Sequence, residues 1–217
     1  AQKTVNADMT WAIENPSFET GEFSAWKTTV GWETIVGTIY GRLYAFGADG
    51  NYLFNTWNDY VDAANSGVNA PISQDITGLP NGTYRLTAML GSGSGNTLYV
   101  DGNGTKGTVT TTAGEGTLFK ASVDFVVADG TATIKAGGNN DCWYKADDFH
   151  LTYLGHDLTL EETGDAGSIN DWYTKVTVNR TIKPNTWSTF VVPFNMAKPE
   201  GWEVKELASS TIKGDVV

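Results

Sequence analysis

The chain holds a single cysteine, Cys142, so no internal disulfide framework fastens it and its compartment cannot be read from bridges. No apolar run approaches the ~20 residues that cross a bilayer. A basic-then-apolar leader is also missing from the start, where Ala1-Gln2-Lys3 reads either as the end left by signal cleavage or as an arbitrary boundary. Histidine is limited to His150 and His156, and neither His-Glu-x-x-His nor Gly-x-Ser-x-Gly occurs, so zinc hydrolysis and serine-hydrolase chemistry have no local signature. Neither histidine is placed as a partner that would activate Cys142. Basic residues are few and scattered: 14 Lys and Arg against 25 Asp and Glu give a net charge of −11. That balance argues against nucleic acid, which needs a basic patch to release its counterions. It also disfavours polyanionic glycans while remaining compatible with neutral ones. A two-carboxylate glycosidase is defined by geometry, and with 25 acidic residues a candidate pair can always be drawn, so acidity alone does not argue for one.

What is present is enough apolar material for a core, 40% of residues, with little charge, 18%, and 25 glycines, which is the profile of an extracellular all-β protein. Alternating apolar residues bounded by Gly, Asn, Asp and Pro recur throughout, and no window shows a sustained helical stripe. Thr10 to Ile13 reads as an opening strand, followed by strands at 24–30, 32–39 and 51–57. Gly82 to Leu90 alternates most clearly, with Tyr84, Leu86, Ala88 and Leu90 on a core face and Arg85, Thr87 and Met89 opposite. Leu98 to Gly104 enters a turn whose Asn103 and Gly104 tolerate positive φ. The stretches 119–127 and 131–136 flank Asp129-Gly130, which reads as a tight hairpin. A last strand over 146–154 places Asp147, Phe149, Leu151 and Tyr153 on one face. The pattern restarts after Gly155-His156-Asp157, giving a first domain over 1–155 and a small, partial β-rich unit over 156–217, with strands at 176–182 and 187–194.

Two acidic knots lie near the two ends of the first domain: Glu14-Asn15-Pro16-Ser17-Phe18-Glu19-Thr20-Gly21 and Tyr144-Lys145-Ala146-Asp147-Asp148-Phe149-His150. If the ends meet, a carboxylate from each plus backbone carbonyls of the Asn15 turn is the all-oxygen set that suits Ca²⁺. The same residues also read as a plain turn and two solvated strand-end charges.

Asn15-Pro-Ser-Phe-Glu-Thr-Gly followed by Trp26 resembles the opening of galactose-binding-like, jelly-roll-like β-sandwich modules, whose best-known members are carbohydrate-binding modules. Ile72 to Ala88 resembles the central hairpin of versions found in secreted Bacteroidetes polysaccharide-degrading proteins, and Asp147 to Gly155 resembles their closing strand. The three motifs together span about residues 5 to 155. The resemblance implies a structural calcium ion held by Glu19 and Asp147, with Asp148 as a further ligand. It also implies export, to the outside or the cell surface, as part of a larger enzyme. Sugar-binding residues vary among such modules and do not transfer.

A sugar site needs flat apolar faces for pyranose C–H groups beside planar polar groups for hydroxyls. Trp57, within Asn55-Thr-Trp-Asn-Asp-Tyr60, and Trp143-Tyr144, after Asn139-Asn140-Asp141, combine both, and each reads either as a subsite or as a lid on the core. Trp32 and Tyr44 are further candidates. Arg85 offers its paired donors on an outward strand face, for sugar hydroxyls or for a salt bridge. Trp11 and Trp26 read as packing residues, and Tyr84, Tyr99 and Tyr153 as core. These features together lead to the expectation of a non-catalytic carbohydrate-binding module for a plant cell-wall β-glucan or xylan. The alternatives are a structural spacer or adhesion module without a sugar site and, further off, a polysaccharide-degrading enzyme.

Overall fold

Apolar side chains at every second position decide which face of each strand turns inward, and β8, Phe119–Val127, shows this most plainly. Ala121, Val123, Phe125 and Val127 are buried while Lys120, Ser122, Asp124 and Val126 are exposed. A computed structural model describes residues 5–28, 34–38 (backbone), 46–56, 71–114, 116–138, 142–161, 173–181, 183, 186, 198, 200–203 and 205.

Among these, one antiparallel sheet runs β2 (Thr34–Thr38), β3 (Tyr52–Thr56), β10 (Tyr144–Gly155), β5 (Gly82–Gly91), β8, with β1 (Ala7–Asp8) also pairing β10. The second sheet runs β4 (Ile72–Thr77), β9 (Thr131–Gly138), β6 (Thr97–Gly102), β7 (Thr105–Thr110). A single apolar cluster joins their inner faces, including Phe54, Leu86, Phe125 and Leu151 from the first and Ile72, Val100 and Ile134 from the second. The molecule is therefore an all-β sandwich. No described helix is long and apolar enough to cross a membrane. β11 (Asp157–Glu161) and β12 (Lys175–Asn179) form a separate parallel pair. By compactness the chain divides into units Ala1–Asn179 and Arg180–Val217. The expected strand at 187–194 lies outside the described residues.

Several elements differ from expectation. Thr10–Ala12 is a 3₁₀ turn. The Thr10 hydroxyl, rather than a strand partner, accepts the Leu151 N–H (3.1 Å), and Asp8 Oδ1 accepts the Thr10 N–H (2.9 Å), so the chain leaves the sheet there. In the expected strand at 24–30, Ala25 has φ +73°, which breaks extension, and among the described residues of that stretch only Lys27 makes a bridge, to Ser73. Asp129-Gly130 is not a hairpin, because β8 pairs with β5 in one sheet and β9 with β4 and β6 in the other. It is a corner between sheets. The Gly130 carbonyl accepts the Leu79 N–H (3.0 Å) and the Gly130 N–H donates to Asn81 Oδ1 (3.0 Å). The Asn103-Gly104 turn does close a hairpin, with φ +49° and +87° at its two residues. Tyr99 is buried as expected, but on the opposite face of β6 from the cluster residues Leu98 and Val100: its hydroxyl sits over Gly137, and Lys106 Nζ lies 4.0 Å from its ring centroid.

Candidate functional site

β10 pairs with β5 as Asp147↔Met89 and then His150↔Thr87, leaving two residues, Asp148 and Phe149, opposite Ala88. This is a β-bulge, and Asp148 adopts φ +51° within it. Directly paired residues share a face. Asp147 therefore lies on the outer face with Met89, and Phe149, Leu151 and Tyr153 lie on the core face, which corrects the expectation that all four share one side. Asp147 is nonetheless fully buried.

The two acidic knots do meet, since the Phe149 N–H donates to the Pro16 carbonyl at 3.1 Å. The intervening turn is unusual in having both Asn15 (φ +52°) and Phe18 (φ +54°) in the left-handed region. It is held from within by Asn15, whose Nδ2 donates to the Glu22 carbonyl and whose own carbonyl accepts the Trp26 indole N–H (3.1 Å). Phe18 is buried against Trp26, Phe54 and Phe149.

Glu19 and Asp147 both address the short loop before β3. Asp147 Oδ2 accepts the Asp49 N–H (2.8 Å), and Glu19 Oε1 accepts the N–H groups of Asn51 and Tyr52 (2.8 Å each). Gly50, at φ +61°, lies between them, and a Cβ there would displace the Glu19 carboxylate from its two N–H partners. Asp147 Oδ1 is buried with no protein donor among the described residues. Loss of solvation pushes the Asp147 carboxyl up to about 8, with the charges of Asp148 and Asp49 adding to that and the amides of Asp49 and Asp148 opposing it. An orphaned, buried carboxylate oxygen on a loop that a second carboxylate also holds fits a hard cation. No described group of three or more His, Cys, Asp or Glu side chains converges to hold a metal, so backbone oxygens would have to complete the shell. Asp148 Oδ1 meets His150 Nε2 at 2.7 Å on the exposed side of the bulge.

Of the sugar-site candidates, Trp143 is half-buried at the start of β10, with its carbonyl accepting the Ser92 hydroxyl. Its ring faces Lys145 Nζ, 5.5 Å from the centroid. Tyr144 is 1% exposed, which corrects its placement as a surface ring. It belongs to the inward alternation with Ala146, and its hydroxyl accepts the Ile72 N–H at 3.1 Å, joining the two sheets across the core. Burial raises its phenol well above the ordinary value. Arg85 does lie on the outer face of β5, but its fork is engaged by Asp124, Nε to Oδ1 at 2.7 Å and Nη2 to Oδ2 at 2.8 Å, which holds the Asp124 carboxyl below its usual range. Trp57, Trp32 and Tyr44 lie outside the described residues.

Two features escaped the sequence reading. Asp49 and Gly50 form the loop that both carboxylates hold, and the Asp-Gly dipeptide was the available signal. Trp11, expected to pack, is 74% exposed, whereas Trp26 is 5% exposed as expected.

No family model matches the chain, and no curated protein matches it. Solved structures similar to it include the carbohydrate-binding module TmCBM61 in complex with β-1,4-galactotriose, at 24% identity and a TM-score of 0.48, covering 65% of this chain and 97% of that one. The CBM22-1–GH10 modules of the Clostridium thermocellum xylanase 10B, complexed with xylohexaose, are similar at 14% identity and a TM-score of 0.45, over 64% of this chain and 27% of that one. A family 35 carbohydrate-binding module from Clostridium thermocellum is similar at 16% identity and a TM-score of 0.41, over 59% and 98%.

Proposed function

We propose that this chain is a non-catalytic carbohydrate-binding module that holds a larger secreted or cell-surface enzyme on a neutral plant cell-wall polysaccharide of the β-glucan or xylan type. The observation that carries this reading is Trp143: a half-buried indole whose backbone is anchored by Ser92 and whose ring lies over the Lys145 ammonium. One face of such a ring can take pyranose C–H groups while neighbouring polar groups meet hydroxyls. β3, which runs in sequence into Trp57, ends at Thr56 paired with Tyr144, next to Trp143 in the chain. The acidic balance favours a neutral ligand, and a shallow site of this kind binds in the micromolar to millimolar range, roughly, with little salt dependence.

A structural calcium ion belongs to the same proposal. Glu19 and Asp147 would hold it, with Asp148 and backbone carbonyls near Asn15 as further ligands, and the buried Asp147 Oδ1 supports it. The ion would supply only charge neutralisation and cross-linking of the Asn15 turn, the loop before β3 and the bulge.

The runner-up is a structural spacer with the same fold and no sugar site. It is favoured by the burial of Tyr144 and by the commitment of Arg85 to Asp124. Affinity gels and titration calorimetry with xylan, mixed-linkage glucan and galactan oligomers separate the two: binding that Trp143→Ala abolishes supports the module, and silence across the panel supports the spacer. Reducing-sugar release by the purified chain would overturn both.

A further inference from the structure

The three residues of the 3₁₀ turn point in three directions about 120° apart. Thr10 turns to β10, where its hydroxyl accepts the Leu151 N–H and lies 3.5 Å from His150 Nδ1. Ala12 packs against the core. The remaining direction belongs to Trp11 and leads to solvent.

The turn itself is fixed on every side. The Ala12 and Ile13 N–H groups close it onto the Met9 and Thr10 carbonyls at 2.9 Å each, and the Met9 N–H donates to the Leu151 carbonyl at 2.8 Å. Beyond it, the buried Gln74 amide holds Glu14 at two points, accepting its N–H (2.8 Å) and donating to its carbonyl (2.9 Å). An indole displayed from such a backbone loses little freedom on binding, which is the costly part of a weak interaction.

We propose that Trp11 is a second sugar-contact residue, its exposed ring a stacking platform for a pyranose unit of a neutral glycan; this rests on the carbohydrate-binding reading above. The surroundings select that occupant. Asp8, Thr10, Glu14, Asp148 and His150 are the polar groups on and beside the turn, so the ring is a flat apolar island among hydroxyl-binding groups. An apolar protein interface would need further apolar neighbours, and the three carboxylates repel anionic ligands. The turn that carries Trp11 is bonded to Leu151 through Met9 and Thr10, whereas Trp143 precedes the start of the same strand. At ~3.3 Å per residue the two lie about 25 Å apart along β10, a span that one polysaccharide chain can bridge. Two weak contacts on one polymer raise retention well beyond either alone.

The test follows the indole N–H resonances of the full chain, the Trp11 signal being assigned by its loss in Trp11→Phe, during titration with xylohexaose, cellohexaose and galactotriose. The expected result is that the Trp11 resonance shifts with at least one of them. In parallel, Trp11→Ala should weaken retention on the matching insoluble polysaccharide by roughly tenfold or more, with an unchanged melting temperature because the ring is exposed. A Trp143 resonance that moves while Trp11 stays still, or unchanged retention of Trp11→Ala, overturns this proposal and leaves the module reading standing. If no tryptophan moves with any of the three, both are overturned.

Discussion

Glu19 and Asp147, far apart in sequence, hold the two ends of one short loop: Asp147 Oδ2 takes the Asp49 N–H, and Glu19 Oε1 takes those of Asn51 and Tyr52, all at 2.8 Å. The arrangement ties the opening turn, the start of β3 and the bulge of β10 into one unit, so perturbing either carboxylate is expected to be felt by the whole sandwich.

Chelation is expected to lower the melting temperature. An ion that binds only the folded chain at a hundredfold excess over its Kd contributes about 2.7 kcal/mol, or roughly 5–10 °C for a chain of this size. Scanning calorimetry with calcium and with a strong chelator measures this, and identical melting curves would remove the ion.

Metal-free protein is expected to lose stability as pH rises. Because the folded Asp147 carboxyl is raised to about 8, it holds its proton more tightly folded than unfolded. The contribution of Asp147 to folded-state stability is therefore full below the ordinary carboxylate value of ~3.9 and is lost progressively as pH climbs towards 8. A calcium ion bound there would reverse the trend by favouring the ionised form. Asp147→Asn should flatten the dependence in chelated samples, and an unchanged pH profile would show that Asp147 does not cause it.

Tyr144→Phe is expected to cost about 1–3 kcal/mol, because it leaves the buried Ile72 N–H without its acceptor. Its glycan affinity should stay at the wild-type level. Trp143→Ala should do the opposite, lowering affinity with a small effect on denaturant midpoint. Equal effects of both substitutions on binding would put Tyr144 back at the ligand.

Gly107→Val is expected to destabilise by about 1–3 kcal/mol or more, since any Cβ at that position of β7 overlaps the Ser122 carbonyl of β8. Urea unfolding reads the change, and a neutral result would mean that β7 can move away from β8.

The inward faces of β5 and β8 were legible because alternation there runs unbroken against a single core. The bulge was not, since Phe149, Leu151 and Tyr153 extrapolate back to Asp147 without any change of residue type, and an extra residue facing Ala88 leaves no mark in the apolar pattern. Asp129-Gly130 carries all the local chemistry of a hairpin, and what makes it a corner is the distant pair Leu79 and Asn81. Glu19 and Asp147 were found from their acidic context, while Asp49-Gly50 marks only a turn, and nothing in a turn's residues shows which distant carboxylates its N–H groups will bond. Trp11 and Tyr144 exchanged expected roles for one reason: whether a residue beside a strand continues its alternation depends on where the chain leaves the sheet.

The bonds that join the Leu79–Asn81 segment to Gly130 make the two ends of the sandwich unequal. At that end, where β5 starts opposite Val127 and Gly155, two sheet-crossing connections are fastened to each other, and the Tyr153 and Tyr84 hydroxyls add bonds to the Asn81 and Pro80 carbonyls. A change of loop length there would break the fastening. At the far end, β3 finishes and β10 begins side by side, Thr56 against Tyr144, and there the sheets are joined by a side chain, the Tyr144 hydroxyl accepting the Ile72 N–H. An insertion in either connection at the Gly130 end would therefore have to be accommodated by the other, so the two crossings of the sandwich can vary only as a pair.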